Sequence, residues 1–466
     1  MTLQIQLDRS AATPLSEQIR LAISAAIERG TLAPGARLPS WLDLAAQLGV
    51  ARGTVRLAYD RLSDAQLITA SRAAGTRVAE RPPSGNTLNT AYDPSPFMRT
   101  YEGLTAGPAI FQMGVSAQQT LPAKLFTHVR AFALRAESSP SVVYPDPRGE
   151  PNLRREIAAY VSLARGIACS PDQVIVTSGF SGGLGLALRA LGLEGKQAWV
   201  ENPGFPFARH GLTLAQLKLC PVPVDSEGID VAYGIANAPE ASLVLVTPGQ
   251  QAPLGPTLSL ARRLQLLDWA TKNDAWIIED DYLSELQLSA RAAPALASLD
   301  RGQRVIHIGS FSKTISPALR LGFVVVPPPL ASTFAEVTAC LAPAPWPSVQ
   351  LAAAKFMAEG HYLRHLRRLK RLYFAQRAAL LQSLETHALE TVSAGLAVLV
   401  RLPDDVSDVD VARELLNYGL GPAALSPWYV TPETARSGLL LGVATAPETN
   451  LARSSARLAD VIRRLR

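Results

Sequence analysis

Apolar residues recur at every fourth position through Leu15, Ile19, Ile23 and Ile27, the period of one helix face, and Gly30 with Pro34-Gly35 closes that segment. Ser40 and Asp43 stand at capping-box spacing ahead of a second helix over Leu42–Leu48. Gly49 breaks it, and Val55, Tyr59 and Leu62 mark the buried face of a third helix. Two strand-like segments follow, Leu67-Ile68-Thr69 and Thr76-Arg77-Val78, joined through Ala73-Ala74-Gly75. From Arg81 to about Ala106 the chain turns to Pro, Ser, Thr, Asn and Gly, the composition of a flexible linker. Fully extended, its about 25 residues reach roughly 80 Å. Beyond residue 107, short apolar runs alternate with helical stretches: Val174–Thr177, Ala198–Val200, Leu243–Val246, Trp276–Ile278 and Val305–Ile308. This alternation predicts an α/β domain on a mostly parallel, buried sheet. The tail after about residue 350 reads as a smaller C-terminal α+β lobe, and its long helix carries Arg364, Arg367, Arg368, Lys370 and Arg371. The predicted segments are residues 1–80, a linker over 81–106, and 107–466.

A chain of 466 residues exceeds what one core organises, which agrees with that division. The net charge of +6 permits a nucleic-acid partner without requiring one. Up to residue 80, nine arginines and no lysine face seven acids, so a DNA-binding case there rests on pattern rather than bulk charge. The three cysteines, Cys169, Cys220 and Cys340, form no metal-ligand spacing and suit a reducing compartment. No signal peptide and no spanning apolar run is visible, so the expectation is a cytoplasmic protein with no metal and no membrane partner.

Helix, helix, Gly-containing turn, helix and hairpin is the order of a winged helix-turn-helix. The third helix, which begins Ala51-Arg52-Gly53-Thr54-Val55-Arg56, is then the element that enters the major groove of double-stranded DNA. Arg52 is suited to a guanine edge and Thr54 to a base or phosphate, while Arg56 lies one turn on, within reach of backbone. In the wing, Arg72 and Arg77 flank Gly75-Thr76 and suit phosphates.

The second candidate chemistry centres on Ser310-Phe311-Ser312-Lys313, with Arg320 seven residues later. A partly desolvated lysine amine condenses with aldehydes, and hydroxyls with a nearby arginine hold phosphate. Thirty-three residues before Lys313 stands Asp280, within Glu279-Asp280-Asp281-Tyr282 at the end of the strand Trp276–Ile278. A carboxylate at a strand's carboxyl end is placed to hold a proton on a pyridine nitrogen, and a tyrosine there to donate to a ring oxygen. Thr177-Ser178-Gly179-Phe180-Ser181-Gly182-Gly183 lies between a strand and a helix, a phosphate-holding turn.

The first 80 residues resemble the GntR-type winged helix through Pro14-Leu15, Gln18-Ile19, Gly30-Thr31-Leu32, Pro34-Gly35, Arg37-Leu38-Pro39-Ser40, Leu44-Ala45, Leu48-Gly49-Val50, Arg52, Thr54-Val55, Ala58-Tyr59 and Leu62. The resemblance adds Ser40 to the DNA-contact candidates. It departs from the family at Trp41-Leu42, Ala51 and Gly53, where polar groups are usual. With Tyr144–Gly149, Glu201–Phe205, Thr247-Pro248 and Leu440–Gly442 added, the whole chain resembles the MocR/GabR regulators, a GntR subfamily with a fold-type-I aminotransferase-like domain that binds pyridoxal 5′-phosphate. The resemblance implies a Schiff base on Lys313, Asp280 on the pyridine nitrogen and Tyr282 on the ring oxygen. It implies a phosphate held by Ser181, Ser310, Ser312 and Arg320, and a homodimer in which Tyr144 reaches the partner subunit's site. Arg209 and Arg436 are the implied anchors for an effector's acid group. Gln250 stands where the family has a histidine facing the cofactor, and a neutral amide shuttles no proton. The expected protein is a regulator whose amine or amino-acid-like effector forms an external aldimine. The alternative is a working aminotransferase with an accessory DNA-binding unit, and the departure at Gln250 weighs toward a sensor with at most part of the transamination reaction.

Overall fold

A computed structural model describes residues 5–11, 13–71, 75–80, 93–105, 109–117, 121–139, 144–283, 286–288, 293–447 and 449–465. Arg72 and residues 81–92 of the expected linker lie outside them. The chain divides into two compact units, Met1–Arg99 and Thr100–Arg466.

In the first unit, helices α1 (Leu15–Glu28), α2 (Trp41–Leu48) and α3 (Arg52–Asp64) precede strands β1 (Ile68–Ser71) and β2 (Gly75–Val78). Ile19, Ile23, Leu44, Val55 and Leu62 are completely buried together, so the four-residue spacing does mark the inner faces. Each such burial contributes about 1.5–3 kcal/mol. Gly49 ends α2 in the left-handed region at φ 62°, which a residue without Cβ adopts freely. The wing is an antiparallel pair with Thr69 opposite Arg77 and Ile68 opposite Val78. Tyr59 donates its hydroxyl to the Pro39 carbonyl at 2.9 Å, tying α3 to the turn before α2.

Residues Pro96–Thr105 form helix α4, which corrects the expectation of an unstructured linker through 81–106. Ser95 Oγ accepts the N–H of Met98 at 3.2 Å and proline stands at the first helical position, a start signal that composition alone conceals.

The second unit continues with α5 (Ala123–Glu137), α6 (Pro151–Arg165), β3 (Val174–Thr177), α7 (Phe180–Leu191), β4 (Gln197–Asn202), α8 (Pro206–Leu214), β5 (Lys218–Asp225), β6 (Gly228–Ile229), α9 (Val231–Asn237), β7 (Leu243–Val246), α10 (Leu260–Lys272), β8 (Trp276–Asp281), β9 (Val305–Ser310) and β10 (Gly322–Val325). These strands form one sheet in the order β3-β10-β9-β8-β7-β4-β5-β6. The pairings β9-β8, β8-β7, β7-β4 and β4-β5 are parallel, whereas β10 runs antiparallel between β3 and β9. Strands β3 and β7 are buried along their whole length, as expected for a sheet covered on both faces. The carboxyl ends of β3, β4, β7, β8 and β9 therefore open on one edge, where α/β sheets place ligands.

A smaller lobe follows, with α11 (Ala331–Leu341), α12 (Pro347–Ala358), the long α13 (His361–Glu385), β11 (Thr391–Ala394), β12 (Ala397–Arg401), α14 (Asp408–Leu416), β13 (Ala423–Ala424), β14 (Gly438–Gly442) and α15 (Leu451–Arg464). Its strands form an antiparallel sheet ordered β11-β12-β14-β13. The segment before α5 belongs with this lobe, since Ile110 bridges Leu420 and the N–H of Gly442 reaches the Phe111 carbonyl at 2.7 Å. No helix among the described residues is long and apolar enough to cross a membrane.

Candidate cofactor site and nucleic-acid interface

The sheet edge gathers most of the cofactor candidates. Lys313 follows β9 and its Nζ donates to the Gly114 carbonyl. Burial pushes this amine down to about 8, against the opposing pull of Asp280. Asp280 is buried on β8, and burial with Asp281, Glu201 and Glu279 around it holds its carboxyl well above the usual range. Tyr282 is hydrogen-bonded to Gln250, and burial, Asp280 and Glu201 all raise its hydroxyl's pKa. Gly395 in the smaller lobe, at φ 69°, makes room for Gln250: a Cβ there would overlap the amide.

On the neighbouring side, α7 begins at Gly179, whose φ of 84° is left-handed, and no side chain caps the helix. A Cβ on Gly179 would lie 4.0 Å from the Arg320 guanidinium and 4.0 Å from Ser312 Oγ, so the helix start, Ser312 and Arg320 face one another. Arg320 is held in the left-handed region at φ 47° after the turn Pro317–Leu319. Ser310 Oγ accepts the N–H of Ser312 at 3.2 Å, and Ser181 is exposed in the first turn of α7. Uncapped N–H groups, hydroxyls and a guanidinium suit a phosphate. A buried carboxylate crowded by other acids suits a protonated ring nitrogen, and an amine held partly neutral suits an aldehyde. These residues fit pyridoxal 5′-phosphate.

Two candidates stand differently from the sequence expectation. Arg209 sits on α8 near the site, but it donates to the carbonyls of Trp428 at 2.8 Å and Pro427 at 3.1 Å, so it braces the smaller lobe's loop. Arg436 is exposed and paired with Asp404 at 2.8 Å, so its charge is already engaged at the surface. Tyr144, expected to reach a partner subunit, is 99% exposed in the single chain. Glu201 was not anticipated. It is buried at the end of β4, accepts the Thr247 N–H at 3.1 Å and hydroxyl at 2.6 Å, and burial pushes it up to about 7. Its position before Asn202-Pro203 is the only signal the sequence offers.

On the winged helix, Arg52, Arg56 and Arg77 are exposed and Thr54 is half-buried on α3. Arg56 lies 4.0 Å from Asp60, and Arg77 donates to the Gly35 carbonyl at 2.8 Å, which pins the wing to the turn before α2. Ser40 caps α2: its Oγ accepts the Asp43 N–H at 3.1 Å and donates to Asp43 Oδ2 at 2.7 Å, which competes with the expected phosphate contact. Arg37, not anticipated as a contact, bridges Arg77, and a Cβ on Gly75 would lie 3.5 Å from its Nε. Trp41 and Leu42 are exposed on the first turn of α2.

Residues 15–78 match the gntR family of bacterial regulatory proteins, and residues 111–436 match aminotransferase class I and II. A probable rhizopine catabolism regulatory protein, MocR, of Rhizobium meliloti is 33% identical over 94% of this chain and 92% of its own length. The chain belongs to the MocR/GabR-type transcriptional regulators. Other relatives of this kind are the pyridoxine biosynthesis regulator PdxR of Corynebacterium glutamicum, 31% identical over 97% of this chain and 96% of that one, and TauR of Rhodobacter capsulatus, 32% identical over 87% and 88%. Among solved structures, an archaeal alanine:glyoxylate aminotransferase superimposes with a TM-score of 0.71 at 23% identity, covering 79% of this chain and 94% of that one, which establishes the fold of the larger part of this regulator. Its helix-turn-helix of the GntR type identifies it as a DNA-binding protein.

Proposed function

We propose that this MocR-type regulator binds pyridoxal 5′-phosphate through Lys313 and changes its grip on operator DNA when an amine or amino-acid-like effector displaces that lysine. The observation that carries the reading is the convergence of Lys313, whose amine burial pushes down to about 8, with buried Asp280 and the Gly179–Ser312–Arg320 cradle. When bound, the cofactor supplies an aldehyde carbon that condenses with primary amines and a ring that withdraws electrons. Lys313 supplies the resident amine. Asp280 would hold a proton at the ring nitrogen, and Tyr282, with Gln250 bonded to it, would donate its hydroxyl to the ring oxygen. Ser181, Ser310, Ser312, Arg320 and the uncapped N–H groups opening α7 would hold the phosphate. The free Lys313 amine bonds the Gly114 carbonyl, so tying it to an aldehyde would give up that link and its displacement by an effector amine would allow the link to form again. That change biases the regulator between states of different DNA affinity.

Arg52, Thr54, Arg56, Arg77 and the residues of the wing would read a paired operator as a cytoplasmic homodimer, with Tyr144, open to solvent in one chain, entering the partner's site. The test is operator binding by fluorescence anisotropy with and without candidate amines, for the unaltered chain and Lys313→Ala. The response to amine is expected to vanish in the variant; a full response from Lys313→Ala overturns the reading. The aminotransferase-like fold keeps a second reading in view, a turnover enzyme with an accessory DNA-binding unit. Steady consumption of an amine and a keto acid, abolished by Lys313→Ala, would decide for it.

A further inference from the structure

β8 carries three consecutive acids, Glu279, Asp280 and Asp281, and all three are buried. Successive strand residues point to opposite faces, so Glu279 and Asp281 share the face that Asp280 leaves. On that face the strand beside β8 presents His307, whose Cα is paired with Glu279 in the parallel register of β8 and β9. Its Nδ1 lies 3.1 Å from Glu279 Oε2 and its Nε2 lies 3.8 Å from Asp281 Oδ2. A neutral imidazole has one N–H and one lone pair: with Nδ1–H on Glu279, the Nε2 lone pair faces Asp281 at a separation too long for a hydrogen bond but short enough for an ion pair. Only the imidazolium offers hydrogen to both sides. The surrounding charges complete the balance: Arg165 from α6 bonds Asp281 Oδ2 at 2.6 Å, and Arg263 from α10 lies in the field of Glu279, Asp281 and Arg165. The N–H groups of Leu296 and Ala297 also bond Glu279, at 2.7 and 3.0 Å, and the Phe323 ring of β10 closes the side of His307 at 6.2 Å between centroids.

We infer that His307 is a charged positioning residue, which offsets part of the negative charge on β8 so that Asp280 can give up its proton when a cationic partner comes to the sheet edge. Burial works against its charge, yet Glu279 and Asp281 hold its pKa above the ordinary histidine value. Without that cation, Glu279, Asp280 and Asp281 would face only Arg165 and Arg263, and the one negative charge left over would favour a proton on the Asp280 carboxyl. A protonated Asp280 cannot stabilise a protonated pyridine nitrogen, so the electron-withdrawing state of the ring would weaken. The role toward the cofactor rests on the function proposed above; the charge of His307 does not.

The experiment therefore has two arms. In the full chain labelled with nitrogen-15 and free of cofactor, the ring nitrogens of His307, assigned by their loss in His307→Gln, should both remain protonated at about pH 7, where an ordinary histidine is mostly neutral. A neutral ring at about pH 7 overturns the inference. In the second arm, pyridoxal 5′-phosphate is titrated into the unaltered chain, His307→Gln and His307→Lys, and the visible band is followed against pH. His307→Gln should bind about tenfold more weakly, the equivalent of one pKa unit at Asp280, and its band should titrate at a shifted pH. His307→Lys, which restores a cation, should recover both. Equal loss in both variants, or no loss in His307→Gln, means that the ring only fills space and overturns the role toward the cofactor. If the unaltered chain takes up no pyridoxal 5′-phosphate, the proposed function fails, while the ring-nitrogen arm still decides the charge.

Discussion

A methyl group added at Gly322 tests whether the anion cradle is fixed by backbone contact. A Cβ there would stand 2.8 Å from Gly179 Cα, 2.8 Å from the Gly309 carbonyl oxygen and 3.0 Å from the Gly179 carbonyl carbon. Carbon atoms settle at about 3.5–4.0 Å, so β10 and Gly179 must part by roughly 0.7 Å or more. All three obstacles are backbone atoms, and none can rotate aside as a side chain would. Overpacking of this kind costs about 1–3 kcal/mol. The displacement falls on the residue that opens α7, and so on the N–H groups that face Ser312 and Arg320. Gly322→Ala should lower the urea midpoint of the cofactor-free chain and weaken uptake of pyridoxal 5′-phosphate by about tenfold, or about 1.4 kcal/mol. Gly185→Ala is the matched control, because a Cβ at Gly185 meets nothing within 4 Å on the exposed side of α7. It should gain about 0.8–1 kcal/mol of helix stability and leave uptake unchanged. Unfolding by urea and absorbance titration of the cofactor read both effects. Gly322→Ala protein as stable and as tight-binding as the unaltered chain would refute the reasoning.

Glu201→Gln should change how stability depends on pH. The folded carboxyl is raised from 4.5 to about 7, so the folded chain binds a proton more tightly than the unfolded one, and stability falls as pH rises through that window. The variant should lose this contribution and gain on the unaltered chain at the upper end, as urea unfolding at both ends of the window would show. Arg52→Ala should weaken operator binding by about 1–3 kcal/mol and relax preference at one base pair, read by anisotropy across single-base operator variants. Ser40→Ala should lose about 1 kcal/mol from the winged helix through the α2 cap, whereas Ser40→Asn, which also caps, should keep it. If Ser40→Asn nonetheless weakens operator binding as much as Ser40→Ala, the hydroxyl contacts DNA and the cap is not its main role.

Much of the fold was legible because it is local. The four-residue spacing of Ile19, Ile23 and Ile27, the Ser40 cap and Gly49 each act within a turn or two of themselves, and α1, α2 and the wing stand where those signals put them. The strands at Val174, Leu243, Trp276 and Val305 were legible because full burial demands unbroken apolar runs. By contrast, β5 carries two prolines and β10 reads Gly-Phe-Val-Val after a loop, and neither announced its place. A strand's neighbours come from its direction and register, which depend on segments far along the chain. Helix α4 was hidden by a bulk composition that a single Ser95-Pro96 start outweighs.

Chemistry divides in the same way. Sequence alone determined which groups exist: an amine at Lys313 after a Ser-rich turn, a carboxylate at Asp280 ending an apolar strand, Tyr282 two residues on, and Arg52 opening a helix. Their types and spacings limit the reactions open to them. Tertiary structure decided what each group is free to do. It spent Arg209 on the carbonyls of residues 427 and 428, turned Tyr144 to solvent, and set Glu201 and His307 around the strand of Asp280. The physical reason is that desolvation and Coulomb energies depend on distance in space, and the folded sheet brings β4, β8 and β9 together although long stretches of chain separate them.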